Sequence, residues 1–255
     1  MIKVVILGTG NSTGIPLIGC QCAVCMSEDK RDKRLRSSVF IETENTHILI
    51  DTSADFRYQM IKHKIRRLDA ILYTHFHKDH IGGIDDLRAF NFIQKERMKM
   101  YANELTLKTI KKDYAYNFSE NKAENTLDAD LFLVDPQTPF SVKDVNIIPI
   151  SVWHSDIEIL GFRVGDFTYI TDASKLEEKE IQKIVGSKVL VINALRKEKH
   201  HGHFTLNEAI DFAQKLKIPQ TYFTHISHQM GLTKDVMKEL PENISLAYDG
   251  LSIEV

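Results

Sequence analysis

Cysteine is scarce in this 255-residue chain, and the three that occur stand together at Cys20, Cys22 and Cys25. Three clustered thiols do not make a disulfide framework; in a reducing compartment such a cluster is a metal-site candidate. Long apolar runs are lacking as well. No stretch approaches the roughly 20 residues that a bilayer-spanning helix requires. The opening Met1-Ile2-Lys3-Val4-Val5-Ile6-Leu7 reads as a short strand without the cleavage pattern of a signal peptide, so a cytoplasmic location with no membrane partner is expected. Charge of one sign is not in excess either: 33 Lys and Arg against 35 Asp and Glu give a net charge of -2. That argues against broad electrostatic binding of nucleic acid while allowing a local basic patch. No internal repeat, low-complexity tract or Pro/Gly-rich linker divides the chain, and its 43% hydrophobic content suits a buried core. Residues 1–255 are therefore read as one domain.

What the chain does have is histidine, eleven in all, with three in the run Thr74-His75-Phe76-His77-Lys78-Asp79-His80. The run follows an apolar stretch, residues 68–73, that reads as a buried strand, and it precedes Gly82-Gly83. Imidazole nitrogen and carboxylate oxygen suit Zn²⁺, Mn²⁺ or Fe²⁺. A strand ending in a sharp loop lets His75 and His77 serve one metal while Asp79 and His80 turn toward a second.

Strands are expected at 3–7, 38–43, 47–51, 70–74, 98–102, 145–152, 159–164, 167–171, 189–193, 220–224 and 245–247. Helices are expected at 54–63, 84–95, 106–116, 177–185, 206–216 and 233–240. Gly165-Asp166 between two apolar runs signals a hairpin, and Thr205 with Glu208 has the capping-box spacing. The element order suits two mixed sheets packed face to face with helices outside. Further metal-ligand candidates, His154, Asp172 and His225, each follow an expected strand as His75 does. Strand ends feeding one point build a rigid site.

These residues carry a resemblance. Residues 74–80 match the His-x-His-x-Asp-His signature of the metallo-β-lactamase fold, and His154, Asp172 and His225 follow in that superfamily's order. The resemblance implies an α/β (α+β) fold, an αββα four-layer sandwich of two mixed β-sheets with outer helices. It implies that His75, His77 and His154 hold one divalent metal, that Asp79, His80 and His225 hold another, and that Asp172 bridges them. Asp51 looks like the superfamily's supporting carboxylate, which orients a ligand without touching metal. Two metals about 3.5–4 Å apart lower the pKa of a bridging water and polarise the bond being broken. Zn²⁺ and Mn²⁺ both fit.

The cysteines narrow the resemblance. Cys20-x-Cys22-x-x-Cys25 offers three thiolates for a structural Zn²⁺, and His228, three residues past His225, is the candidate fourth ligand. This insertion, at about 19–36, resembles that of the phosphodiesterase of the carbon–phosphorus lyase pathway, which opens five-membered cyclic ribosyl phosphates. The segments 7–16 and 51–59 are also similar to that group. In the subgroup a histidine near this point is thought to assist the leaving oxygen. His203 matches best, His200 is second and His201 is expected to face solvent; a histidine titrating near neutrality can donate a proton to a departing alkoxide.

Several residues have plainer readings. His47 and His63 are expected at a strand start and a helix end, and Asp85-Asp86 as acids favoured by a helix N-terminus. The basic run 30–36 reads as a solvated face. Gly8-x-Gly10 and Gly14 do not open a helix, so they are no dinucleotide fingerprint; they let the first strand's loop approach the metals.

The expected function is metal-dependent hydrolysis of a small, cyclic phosphodiester by a metal-bridging hydroxide, with Asp79, His203 and His200 in the catalytic group. One alternative is a tRNA 3′-processing endoribonuclease, disfavoured because no long basic insertion is present to hold tRNA. Another is an accessory metal-binding cofactor-biosynthesis protein without hydrolase activity. Similar enzymes are dimers, so a homodimer is compatible with the reading.

Overall fold

The computed structural model describes residues 2–255. Two seven-stranded sheets stack face to face. The first contains β1 (Lys3–Gly8), β2 (Ser38–Glu42), β3 (His47–Ile50), β4 (Ala70–Leu72), β5 (Met98–Ala102) and β6 (Ala129–Leu133), with β14 (Ser252–Glu254) added outside β1. The second runs from β7 (Phe140–Val142) through β8 (Val145–His154), β9 (Ile157–Val164), β10 (Phe167–Ile170), β11 (Val189–Asn193) and β12 (Gln220–Thr224) to β13 (Ile244–Leu246). Each sheet is half antiparallel and half parallel. The change comes at the β3–β4 pair in the first and the β10–β11 pair in the second.

Strand alternation divides the apolar residues between layers. Val4, Ile6, Ile48 and Ile50 of the first sheet meet Ile147, Phe162, Tyr169 and Val191 of the second between the sheets. Phe40 and Leu49 point the other way, beneath α2 (Phe56–His63) and α4 (Arg88–Gln94), where Phe56, Met60 and Phe90 cover them. On the far side Ile192 and Phe223 pack under Leu206, Ala209 and Ala213 of α8 (Leu206–Leu216). Strands buried on both faces read as near-continuous apolar runs, and each fully buried large side chain contributes about 1.5–3 kcal/mol. The expected four-layer αββα sandwich is what forms.

The remaining helices are short: α1 (Ala23–Met26), α3 (Lys78–Ile81), α5 (Glu104–Asp113), α6 (Ala115–Phe118), α7 (Glu178–Ile184) and α9 (Thr233–Val236). The expected helix at 84–95 divides into a 3-10 turn over Ile84–Leu87, with Asp85 and Asp86 in it, followed by α4. Val164 pairs with Phe167 across the Gly165-Asp166 hairpin, and Thr205 and Glu208 form a complete capping box.

The basic run is corrected. Arg34 is not on a solvated face; it is 3% exposed, and its guanidinium donates to Thr9 Oγ1, the Ala247 carbonyl and Thr233 Oγ1. A buried cation persists only when its donors are met, and these three tie the cysteine-bearing segment to the residue after β1, to the helix at Thr233–Val236 and to the residue after β13. Arg36 pairs with Asp55 at 3.0 Å.

The metal-signature loop is fastened from behind by α2. Gly83 donates its N–H to the Thr52 carbonyl at 2.9 Å. A Cβ there would lie 2.3 Å from Phe56 Cβ and 2.7 Å from the Ser53 carbonyl oxygen. Only glycine lets these backbones approach so closely. We predict that Gly83→Ala lowers unfolding free energy by about 1–3 kcal/mol; an unchanged urea midpoint would show that this contact bears no load.

Candidate metal centre

Every strand end that the sequence singled out arrives at one place, and the backbone is held in unusual conformations there. Asp51 follows β3, Asp172 follows β10 and His225 follows β12; their φ angles are 63°, 56° and 53°. Left-handed conformations are uncommon for residues other than glycine and cluster at functional sites. Asp79 and His80 lie in α3, and His154 closes β8.

The donor atoms group as the chain order suggested. His75, His77 and His154 present ring nitrogens within 4.8 Å of one another; so do the donors of Asp79, His80 and His225. Asp172 stands between the groups. Its Oδ2 is 3.3 Å from His80 Nε2 and its Oδ1 is 3.2 Å from His225 Nε2.

The rings are oriented from outside. His80 Nδ1 donates to Asp51 Oδ2 at 2.7 Å, and His154 Nδ1 donates to the Gly202 carbonyl at 2.8 Å. His75 Nδ1 is 3.0 Å from Thr74 Oγ1, and His225 Nδ1 is 3.3 Å from Ser37 Oγ. Each contact occupies Nδ1 and leaves Nε2 turned inward, the tautomer that a metal-ligating histidine needs. Asp51 is fully buried and also accepts the Thr74 N–H and hydroxyl, both at 2.8 Å.

This donor set fits divalent cations on two observations. His75 Nε2 faces His77 Nδ1 at 3.0 Å, lone pair toward lone pair unless a proton or cation lies between. His80 Nε2 is buried with no hydrogen-bond partner while two carboxylates, Asp79 and Asp172, lie about it at 3.2 and 3.3 Å. Burial would raise the Asp172 carboxyl, but His225 and His80 beside it hold it well below the usual range. Burial works the other way on His80, and Asp79, Asp172 and Asp51 overcome it, raising that imidazole well above its ordinary value. Buried carboxylates in such number call for positive charge.

His203 is the nearest of the loop histidines. Its Nδ1 is 3.8 Å from Asp172 Oδ1, and its ring lies 4.8 Å from that of His154 and 5.0 Å from that of His225. Burial pushes its pKa down to about 3, against the opposing pull of the Asp172 carboxylate. His200 stands one ring further out, 4.9 Å from His203, and exposed His201 stacks on it at 4.6 Å. All three line a cleft of about 300 Å³ with Asn11, Ser12 and Ser155. Those last three were not singled out in the sequence. Asn11 and Ser12 lie in the loop read only as a close approach, where the Asn11 N–H donates to the Ile226 carbonyl beside His225.

The cysteine cluster forms a second centre. Cys20, Cys22, Cys25 and His228 place their donor atoms within 4.8 Å of one another, with His228 Nδ1 3.4 Å from both Cys20 Sγ and Cys22 Sγ. Cys22 caps α1, accepting the Cys25 N–H at 3.5 Å. That bond, aided by His228, lowers its thiol to about 6, whereas burial raises Cys25 to about 11. The set fits a tetrahedral structural Zn²⁺.

The sequence pattern of the beta-lactamase superfamily domain matches residues 46–226. The chain belongs to this superfamily. Over 252 residues it is 38% identical to a protein of Porphyromonas gingivalis named octanoyltransferase, covering 98% of this chain and 51% of that one. A shorter match, 38% over 64 residues, is to coenzyme PQQ synthesis protein B of Rhodopseudomonas palustris, covering 24% of this chain and 21% of that one. The chain thus spans about half the length of the first of these relatives and about a fifth of the second. Among solved structures, a diphosphatase from the PhnP family superposes with a TM-score of 0.94 at 38% identity, covering 100% of this chain and 98% of that one. Zn²⁺-bound PqqB of Methylobacterium extorquens has a TM-score of 0.79 at 19% identity, covering 99% of this chain and 100% of that one. The short form of human tRNase Z has a TM-score of 0.71 at 18% identity, covering 99% of each chain. The last two share the fold. The resemblance drawn from the motifs, to a metallo-β-lactamase-fold phosphodiesterase, agrees with the first of these structures. Among the described residues no helix is long and apolar enough to cross a membrane.

The uneven thiols make a prediction. In metal-stripped protein, alkylation of Cys22 is expected to rise through a midpoint near pH 6, because the thiolate is the nucleophile. Cys25 should stay unmodified to far higher pH, and added Zn²⁺ should protect all three cysteines. Equal labelling of Cys22 and Cys25 at neutral pH, read by mass spectrometry, would contradict this.

Proposed function

We propose that the chain is a dinuclear metal-dependent phosphodiesterase acting on a small, cyclic phosphodiester such as a ribosyl 1,2-cyclic phosphate. The observation that carries the reading is Asp172, whose two oxygens each face a histidine of the second donor group while His75 of the first completes a third cluster with it. One carboxylate shared by two donor groups suits two neighbouring cations. His75, His77 and His154 would hold one, Asp79, His80 and His225 the other, and Cys20, Cys22, Cys25 and His228 a structural Zn²⁺. Bound divalent ions supply water activation at neutral pH and neutralisation of phosphoryl charge. We read residues 1–255 as a single hydrolase domain, with the cysteine segment as an insertion in it.

The chain's own groups do the positioning. Asp51 holds His80 and the Thr74 backbone, so the signature loop is set before substrate arrives. His203, buried beside Asp172, donates an N–H to a phosphoryl or leaving oxygen. His200 and His201 close the outer wall. Asn11, Ser12 and Ser155 supply neutral hydrogen-bonding groups suited to sugar hydroxyls. Neither Lys nor Arg lines the cleft among the described residues, which favours a compact ester over a polyanionic RNA. The name octanoyltransferase belongs to a protein about half of which has no counterpart in this chain, and it gives no ground for acyl transfer here.

A substrate panel on metal-loaded protein tests the reading: bis(p-nitrophenyl) phosphate, 2′,3′-cyclic nucleotides, ribosyl 1,2-cyclic phosphate and precursor tRNA. The cyclic diester is expected to turn over fastest. Faster cleavage of precursor tRNA would move the assignment to RNA processing, and no turnover by fully metallated protein would leave an accessory metal-binding role.

Two variants test the roles within the site. Asp172→Ala should abolish activity by several orders of magnitude and lower active-site metal content while circular dichroism stays native. Asp51→Asn should cost about 10–100-fold in metal affinity or activity; full activity with full metal content would remove Asp51 from its supporting role.

A further inference from the structure

Two buried residues outside the donor groups grip Asp172. Thr171 and Asn193 are each fully buried. Thr171 Oγ1 donates to Asp172 Oδ2 at 2.6 Å, the short contact of a hydroxyl on a charged oxygen. That oxygen also faces His80 Nε2 at 3.3 Å, whereas Oδ1 faces His225 Nε2 at 3.2 Å and His203 Nδ1 at 3.8 Å. The terminal torsion of an aspartate is broad, so nothing intrinsic to the side chain keeps its two oxygens in different roles. The hydroxyl does so by holding Oδ2.

Asn193 holds the backbone. β10 and β11 pair in parallel as far as Ile170 and Ile192, and Asp172 then turns into the left-handed region at φ 56°. The N–H and carbonyl of Ala173 lie beyond the end of that ladder. The Asn193 carboxamide meets both: its Oδ1 accepts the Ala173 N–H at 2.6 Å and its Nδ2 donates to the Ala173 carbonyl at 3.0 Å. An amide side chain offers an acceptor and donors together, so it continues the pairing where backbone alone cannot. Two further bonds make this a junction. The Phe204 N–H, next to His203, donates to the same Ala173 carbonyl at 2.7 Å, and the Ala194 N–H donates to the Thr224 carbonyl, next to His225, at 3.0 Å. The segments that carry Asp172, His203 and His225 thus meet around one asparagine.

We infer, resting on the reading of Asp172 as a carboxylate shared by two cations, that Thr171 and Asn193 are its positioning residues. Thr171 fixes the rotation of the carboxylate, and Asn193 fixes the backbone that carries it. A carboxylate free to turn can give both oxygens to one cation. Loss of the Thr171 hydroxyl therefore costs the second cation rather than the fold.

Manganese binding tests this on protein stripped of metal and given one equivalent of Zn²⁺, which the soft thiolates of the cysteine centre select. The parent should take up two Mn²⁺ and show the electron paramagnetic resonance spectrum of a spin-coupled pair. In Thr171→Val, of nearly the same shape, the second Mn²⁺ should bind about 10–100-fold more weakly, and isolated Mn²⁺ should replace the coupled signal at two equivalents. Thr171→Ser, which restores the hydroxyl, should stay within threefold of the parent. Asn193→Leu should weaken the second Mn²⁺ as Thr171→Val does and also lower the urea midpoint; the Thr171 pair decides the matter however far Asn193→Leu is destabilised. A coupled parent with Thr171→Val unchanged within twofold would overturn this inference alone, as would Thr171→Ser losing the second Mn²⁺ to the same extent as Thr171→Val. A parent that takes up a single Mn²⁺, or two without coupling, would overturn the two-cation reading and this inference with it.

Discussion

A fully buried carboxylate, Asp51, sits between β3 and β4 with no Lys or Arg at hand, and much of the molecule is arranged to tolerate it. It accepts the Thr74 N–H, the Thr74 hydroxyl and His80 Nδ1. Burial alone pushes its carboxyl upward, and the His80 charge and these hydrogen bonds oppose that push. An anion in such surroundings is expensive unless every lone pair is used. Meeting that requirement fixes the Thr74 backbone, the His80 ring and the start of the signature loop together. The same logic recurs at Asp172, where His80 again and His225 converge on one carboxylate.

The convergence follows from the sheets' construction. Each has a parallel half, and in a parallel arrangement strands end at the same edge. β3 and β4 deliver Asp51 and His75 from one sheet; β10 and β12 deliver Asp172 and His225 from the other. The sheets are joined at that edge, where the Leu160 N–H donates to the Thr74 carbonyl at 2.9 Å and the Ile226 N–H donates to the Thr9 carbonyl. A site assembled from strand ends is held by the whole core rather than by its own loops. That accounts for the left-handed backbone at Asp51, Asp172 and His225, since local strain persists where surrounding packing outweighs it.

Much of this was legible beforehand, and the exceptions are instructive. Residues 206–216 and 189–193 had clear periodicity and formed elements with those bounds. β7 and β14, of three residues each, are too short to show a period, and β6 keeps Leu133 66% exposed, so none announced itself. The run 30–36 looked like a solvated face because charge alone was visible. Arg34 is buried because Thr9, Thr233 and the Ala247 carbonyl, all distant in sequence, supply acceptors for it.

By itself, the order of residues determined the kinds of donor atoms, their sequence along the chain and the elements that end at them. Local spacing carries that information because strands, turns and caps depend on neighbours a few positions apart. The tertiary structure alone decided which nitrogen of each histidine faces inward, and that Asn11, Ser12 and Ser155 wall the cleft. Those properties depend on burial and on contacts between residues as far apart as Ser37 and His225, 188 positions along the chain. Neither dielectric surroundings nor a hydrogen bond across such a separation is written in local spacing.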